Sequence, residues 1–77
     1  MLKNIKSFIF EDELQIHIYK NKVNIINYSR IGHFDNNKVI VYKDKNSIII
    51  KGEKIFVSRL MIDELLIEGI IKSIEFR

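Results

Sequence analysis

The sequence predicts a small all-β domain, an antiparallel meander of about seven to eight short strands folded into a sandwich or roll. Three observations predict it. Apolar runs recur about every eight to eleven residues and are too short for stable helices. They are rich in Ile, Val, Leu and Phe, which suit a pleated, half-buried surface. Between them lie turn residues and no amphipathic helical repeat, as in an antiparallel meander. Because the runs are so alike, a solenoid-like stack is the alternative.

Seventy-seven residues make a single domain, residues 1–77. A chain of this size buries only about 60–65% of its unfolded surface, so every core position counts. There is no Cys to form a disulfide or a thiolate metal site. Proline is absent and only Gly32, Gly52 and Gly69 interrupt the pattern, which argues against a linker-like or disordered chain. The apolar fraction is 47%, with seventeen Ile among 77 residues. A domain this small has little interior for so many branched side chains, which implies that some apolar surface meets a partner.

Taken in order, Ile5 to Phe10 is a first strand candidate, followed by a solvated turn at Glu11-Asp12-Glu13. Leu14, Ile16 and Ile18 alternate with Gln15, His17 and Tyr19, the two-residue period of a half-buried strand. Lys20-Asn21-Lys22-Val23 reads as a hairpin turn, since Asn tolerates a left-handed backbone. Val23 to Tyr28 is its partner strand. Ser29 to Asn37 reads as a loop, with Phe34 plugging the core edge and Asp35-Asn36-Asn37 turning the chain. Lys38 to Lys43 is the next strand, and Lys43 to Asn46 the next turn. Ile48 and Ile50 lead into a hairpin loop at Lys51-Gly52-Glu53-Lys54, and Ile55 and Val57 return from it. Leu60 to Asp63 is a connection with Leu60 and Ile62 as buried candidates and room for a single helical turn. Leu65 and Ile67 form another strand, Glu68-Gly69 turns it, and Ile70 to Phe76 closes the chain.

The alternation assigns one core set: Ile25, Val39, Val41, Ile48, Ile50, Ile55, Val57, Leu65 and Ile67. Ile26, Ile40, Ile49, Phe56 and Leu66 stand out of phase with it. With little chain left to cover a second face, these five are the candidate interaction surface, for self-association or for docking another protein. A homo-oligomer, dimeric or larger, is expected.

Evident chemistry is sparse. His33 lies two residues from Asp35, a spacing that can orient an imidazole, but no serine sits in a nucleophile elbow. His17 and His33 lack a third metal ligand at a matching spacing. The glycines are isolated rather than gathered into a phosphate loop. No catalytic residue, metal or cofactor is expected, and the chain reads as a non-enzyme. The net charge of +3 is spread singly along strands and turns. Tyr19, Tyr28, Tyr42, Lys20, Lys22, Arg30 and Lys43 are the residues a nucleic-acid-binding face would use. They read more simply as cross-strand pairs on a half-exposed sheet, so nucleic acid is not the expected partner. No signal peptide or stretch of transmembrane length is visible, and a cytoplasmic protein is expected.

Ile48-x-Ile50-Lys51-Gly52-x-x-Ile55-x-Val57-x-x-Leu60, followed by Leu65-x-Ile67-x-Gly69-x-Ile71-x-x-Ile74-x-Phe76, resembles the C-terminal signature of the YabP/YqfC family of sporulation proteins. Phe34-Asp35-Asn36 and the strand Val39 to Tyr42 resemble the element preceding that signature. The hairpin Leu14 to Tyr28 aligns with the family's first half. Asn27-Tyr28-Ser29 departs from a Thr-Gly-Val-like step in the family. The resemblance makes Phe34, Asp35, Gly52, Gly69 and Phe76 signature turn and core residues and carries over no catalytic residue. It implies a non-enzymatic structural or protein-interaction protein of endospore formation in a Firmicute. Such a protein would act in the mother cell or at the developing spore envelope, with other sporulation proteins as partners. The alternative is a small basic module binding nucleic acid or an anionic surface.

Overall fold

The computed structural model of the chain describes residues 6–9 and 14–77. Its strands are β1 (Lys6–Ile9), β2 (Gln15–Ile18), β3 (Lys22–Ile26), β4 (Arg30–Phe34), β5 (Lys38–Lys43), β6 (Asn46–Leu60) and β7 (Glu64–Phe76). They form one sheet in the order β1-β2-β3-β7-β6-β5-β4. Every neighbouring pair is antiparallel. The fold is therefore all-β and antiparallel, as expected, but not a simple meander: β3 pairs with β7, and β4 lies at the opposite edge of the sheet. Antiparallel pairing throughout excludes the solenoid-like stack, whose neighbouring runs would be parallel. Most of the strand expected over Ile5 to Phe10 appears as β1. The turn expected at Glu11-Asp12-Glu13 lies outside the described residues.

Connectivity shows that the sheet is rolled. Three residues join β3 to β4, so Ile26 and Arg30 stand at most about 14 Å apart. In the sheet, β7, β6 and β5 lie between those strands. Laid flat, four strand spacings would separate them by about 19 Å. Curling closes the gap and turns the inner faces of the two halves toward each other. Among the described residues, eleven aliphatic side chains fill the space: Leu14, Ile16, Val23, Ile25, Val39, Val41, Ile48, Ile50, Ile55, Leu65 and Ile67, all at most 2% exposed. Each contributes about 1.5–3 kcal/mol by leaving water. Of the expected core set, only Val57 is half-buried.

The long strands correct the sequence reading. Gly52 and Gly69 are not hairpin turns; each lies within a strand, where β6 and β7 bend across one another. A Cβ on Gly52 would stand 2.0 Å from the Ile70 carbonyl oxygen. One on Gly69 would stand 2.6 Å from the Lys54 oxygen and 2.7 Å from Ile55 Cα, at a φ of +134°. Bulges at Lys51/Gly52, Glu53/Phe56 and Val57/Arg59 take up the curvature. Four short runs thus become two long strands. No helix occurs among the described residues, and the connection at Leu60 to Asp63 is the tip of the β6–β7 hairpin. It projects beyond the core, so Leu60 and Ile62 are 61% and 96% exposed rather than buried. The loop expected at Ser29 to Asn37 contains β4. A bulge between Ile31 and His33 breaks its alternation and hides it as a strand.

The turns expected at Asp35-Asn36-Asn37 and at Lys43 to Asn46 form, while the one expected at Lys20 to Val23 falls one residue earlier, over Tyr19 to Lys22, so that Val23 lies in β3. The Tyr19 amide donates to Lys22 O, and the Asp35 amide to Lys38 O, both at 2.9 Å. Asp44 takes a left-handed φ of 54° in the β5–β6 turn.

The roll has an internal pseudo-twofold. The β2–β3 hairpin flanks the first half of β7, and the β4–β5 hairpin flanks the first half of β6. The hairpins correspond at an offset of sixteen residues: His17 with His33, Asn21 with Asn37, Lys22 with Lys38, Val23 with Val39, Ile25 with Val41. The long strands correspond at an offset of seventeen: Ile48 with Leu65, Ile50 with Ile67, Gly52 with Gly69. The contacts repeat as well. Gly52 N donates to Asn37 O at 2.9 Å, and Gly69 N to Asn21 O at 3.0 Å.

Candidate interaction site

A cleft opens where the roll fails to close. β4 pairs only with β5, and the second half of β6 pairs only with β7, so two strand edges face each other among the described residues. The gap is fixed at both ends. At one, Ile55 N donates to Asn36 O at 2.9 Å. At the other, Asn27 N donates to Asp63 O at 2.6 Å and the Tyr28 hydroxyl donates to Met61 O at 2.8 Å. Burial first, and then the Asp63 carboxylate, raise the pKa of that hydroxyl above the ordinary tyrosine range. Between these ties lies a cleft of about 440 Å³ lined by Ile31, Phe34, Ile55, Phe56, Val57 and Leu60, with Asp35 and Asn36 at one end. Phe34 and Phe56 are 58% and 54% exposed. Phe34 therefore does not plug the core edge; as the last residue of an edge strand it faces the open cleft.

The five residues expected to share one contact surface are placed differently. Ile40 and Ile49 are register partners on β5 and β6. Ile49 is only 9% exposed, and the Glu75 carboxylate paired with it across the sheet is held 3.4 Å from Lys51. Lys51 foremost, and then Arg77, keep the Glu75 pKa below its ordinary range. Ile26 and Leu66 are half-buried on β3 and β7, among Asn24, Glu64 and Arg59. Since the inner faces of the two halves share one core, their outer faces point apart. Ile40 and Ile49 thus cannot join Ile26 and Leu66 in one surface. Of the five, Phe56 alone lines the cleft. Its companions there, Phe34 and Leu60, are core candidates by sequence and cleft residues in the structure.

The remaining candidates serve the fold. Asp35 Oδ1 accepts the Asn37 and Lys38 amides at 2.8 and 2.9 Å, and Oδ2 accepts His33 Nε2 at 3.0 Å. The Asn37 amide first, and then His33, hold the Asp35 pKa below its ordinary range. This is the arrangement of a capped turn. Phe76 pairs with Ile48 at the end of β7 and is 43% exposed, so it closes the sheet rather than filling the core. The rings of the suggested basic face are occupied by their own chain: Lys22 lies 5.0 Å from the Tyr19 ring and Arg30 4.2 Å from the Tyr42 ring. No group of three or more metal-ligating side chains occurs among the described residues. No helix there is long and apolar enough to cross a membrane.

No curated protein and no solved structure gives a significant match to the chain. The family model of the YabP family matches residues 5–77, reaching back through β1 as well as covering the β6–β7 signature. A match over nearly the whole domain shows that the chain belongs to the YabP family.

Proposed function

We propose that this protein is a non-enzymatic interaction protein of endospore formation, acting in the mother cell or at the developing spore envelope of a Firmicute. Its partners are other proteins of the sporulation machinery. Family membership supports the setting, because the resemblance stated above is to sporulation proteins. The observation that carries the interaction role is the cleft, where Phe34, Phe56 and Leu60 stand more than half exposed around an apolar floor. Exposed aromatic and aliphatic anchors around a concavity are the features of a protein-docking site.

Deletion of the gene, with cross-linking of the tagged protein in sporulating cells, tests this reading. The expected result is a sporulation defect and a protein adduct that disappears with Phe56→Ser. Normal sporulation without the gene, with no adduct at any stage, would refute it.

The second reading, a basic module for nucleic acid or an anionic surface, draws on the net charge of +3. Salt separates the two. Binding through phosphates collapses between ~50 and ~200 mM salt, whereas apolar docking persists.

A further inference from the structure

We infer that the open edge of β4 takes up a short extended segment of another protein as a further strand, laid along the cleft. The inference rests on the interaction role proposed above and deepens it, naming how the partner is held.

The precedent lies within the chain. The β2–β3 and β4–β5 hairpins are pseudo-twofold counterparts, yet their outer edges differ. β1 pairs antiparallel with the outer edge of β2, placing Lys6 opposite Ile18 and Phe8 opposite Ile16. β4 ends the sheet, with no strand on its outer edge among the described residues. The two edges correspond residue by residue. Ile18 faces Val23 as Phe34 faces Val39, and Ile16 faces Ile25 as Ile31 faces Val41, with Gly32 the extra residue of the bulge. The open edge of β4 is thus the counterpart of the edge that β1 covers.

The backbone of β4 is turned to receive such a strand. The Tyr19 amide donates to Lys22 O, and the Asp35 amide to Lys38 O, within their own hairpins. In an antiparallel ladder the neighbouring residue turns its N–H and C=O the other way. For Ile18 that direction is toward β1, and for Phe34 it is toward the cleft. Residues opposite one another on paired strands share a face. Segment residues opposite Phe34 and Ile31 therefore lie over the apolar lining formed by Phe56, Val57 and Leu60. The occupant is an extended segment with apolar residues at alternate positions. Main-chain hydrogen bonds hold it, and the alternate side chains select it. The ties at Asn36 and Met61 confine it to the five residues of β4. A second copy does not supply it, because among the described residues every extended run is already a strand of its own sheet.

The test uses the intact protein, followed by amide NMR, and an acetylated, amidated hexapeptide of alternating Val and Lys at millimolar concentration. With Val over the cleft, the Val N–H groups face β4 and the Lys N–H groups face away. The expected result is shifts at Ile31, His33, Phe34 and Phe56, with the Phe34 amide newly protected from exchange. N-methylation of the Val residues should weaken binding roughly tenfold or more, and N-methylation of the Lys residues should leave it unchanged. Phe34→Pro removes the N–H turned to the cleft and spares the β4–β5 ladder, so it should lose the peptide while Phe34→Leu keeps it. Unmoved β4 amides, shifts at β1 in their place, or equal binding of the two methylated peptides would overturn the inference. Shifts at β4 on raising the protein concentration alone would put a second copy there and overturn it as well. A peptide that leaves β4 unmoved, beside an adduct in sporulating cells that is lost with Phe56→Ser, would overturn the added strand and leave the interaction role standing.

Discussion

The backbone amide of Gly52 donates a 2.9 Å hydrogen bond to the carbonyl of Asn37, tying the bend of β6 to the turn of the hairpin beside it. Gly69 and Asn21 make the same contact at 3.0 Å on the other side of the pseudo-twofold. The two glycines are thus the pivots on which a single sheet becomes a roll.

Alanine at either pivot is expected to destabilise the protein. At position 52 the added methyl meets a backbone oxygen that cannot turn aside, and at position 69 it meets backbone under a φ of +134°. Each change costs about 1–3 kcal/mol. Gly32→Ala is the comparison, since its methyl would meet the Tyr42 ring, which can rotate away. Thermal melts should rank both pivot variants well below Gly32→Ala.

Ile50 and Ile67 are pseudo-twofold counterparts, and both are fully buried in the shared core. Ile50→Ala and Ile67→Ala should each cost about 2–5 kcal/mol. A domain of this length holds only roughly 4–12 kcal/mol in total. Urea titration should therefore show both variants near the edge of folding, with similar midpoints. A mild loss at one position and a severe one at the other would contradict their equivalence.

Much of the roll was legible in the sequence, and the reason is local. The core alternates strictly at Ile48 and Ile50 and at Leu65 and Ile67, and a period of two needs no tertiary information to read. The turns at Asn21, Asp35 and Asp44 carry residues that favour tight reversals. Gly52 and Gly69 were misread because glycine marks a bend within a strand as readily as a turn between two. The tertiary crossing decides which, and no local pattern encodes it. β4 escaped notice because its bulge breaks the alternation. The cleft was legible only through Phe56. Phe34 and Leu60 look like core residues in isolation, and only the rolled sheet places them at its open mouth. The sixteen-residue offset, seen in Asn21-Lys22-Val23 against Asn37-Lys38-Val39, is the signal in the sequence that points to the pseudo-twofold.

Asp35 makes part of the stability pH-dependent. Its carboxyl is held below the ordinary range by the Asn37 amide first and by His33 next. A group whose pKa is depressed in the folded state contributes above its unfolded value and loses that contribution as pH falls through the folded one. Wild type should therefore lose stability below the ordinary aspartate pKa of about 3.9. Asp35→Ala should be less stable at neutral pH and show a shallower decline in acid. Denaturation across the acid range checks both, and parallel curves for the two proteins would refute the assignment. Glu75, lowered chiefly by Lys51, retains its own share in the variant.

The central claim is that the cleft between β4 and the second half of β6 docks another protein. A photo-crosslinking side chain placed at position 56 in the cleft or, for comparison, at position 45 in the β5–β6 turn tests it in sporulating cells. The account predicts a protein adduct from position 56 and none from position 45. No adduct from position 56, or equal adducts from both positions, would contradict it.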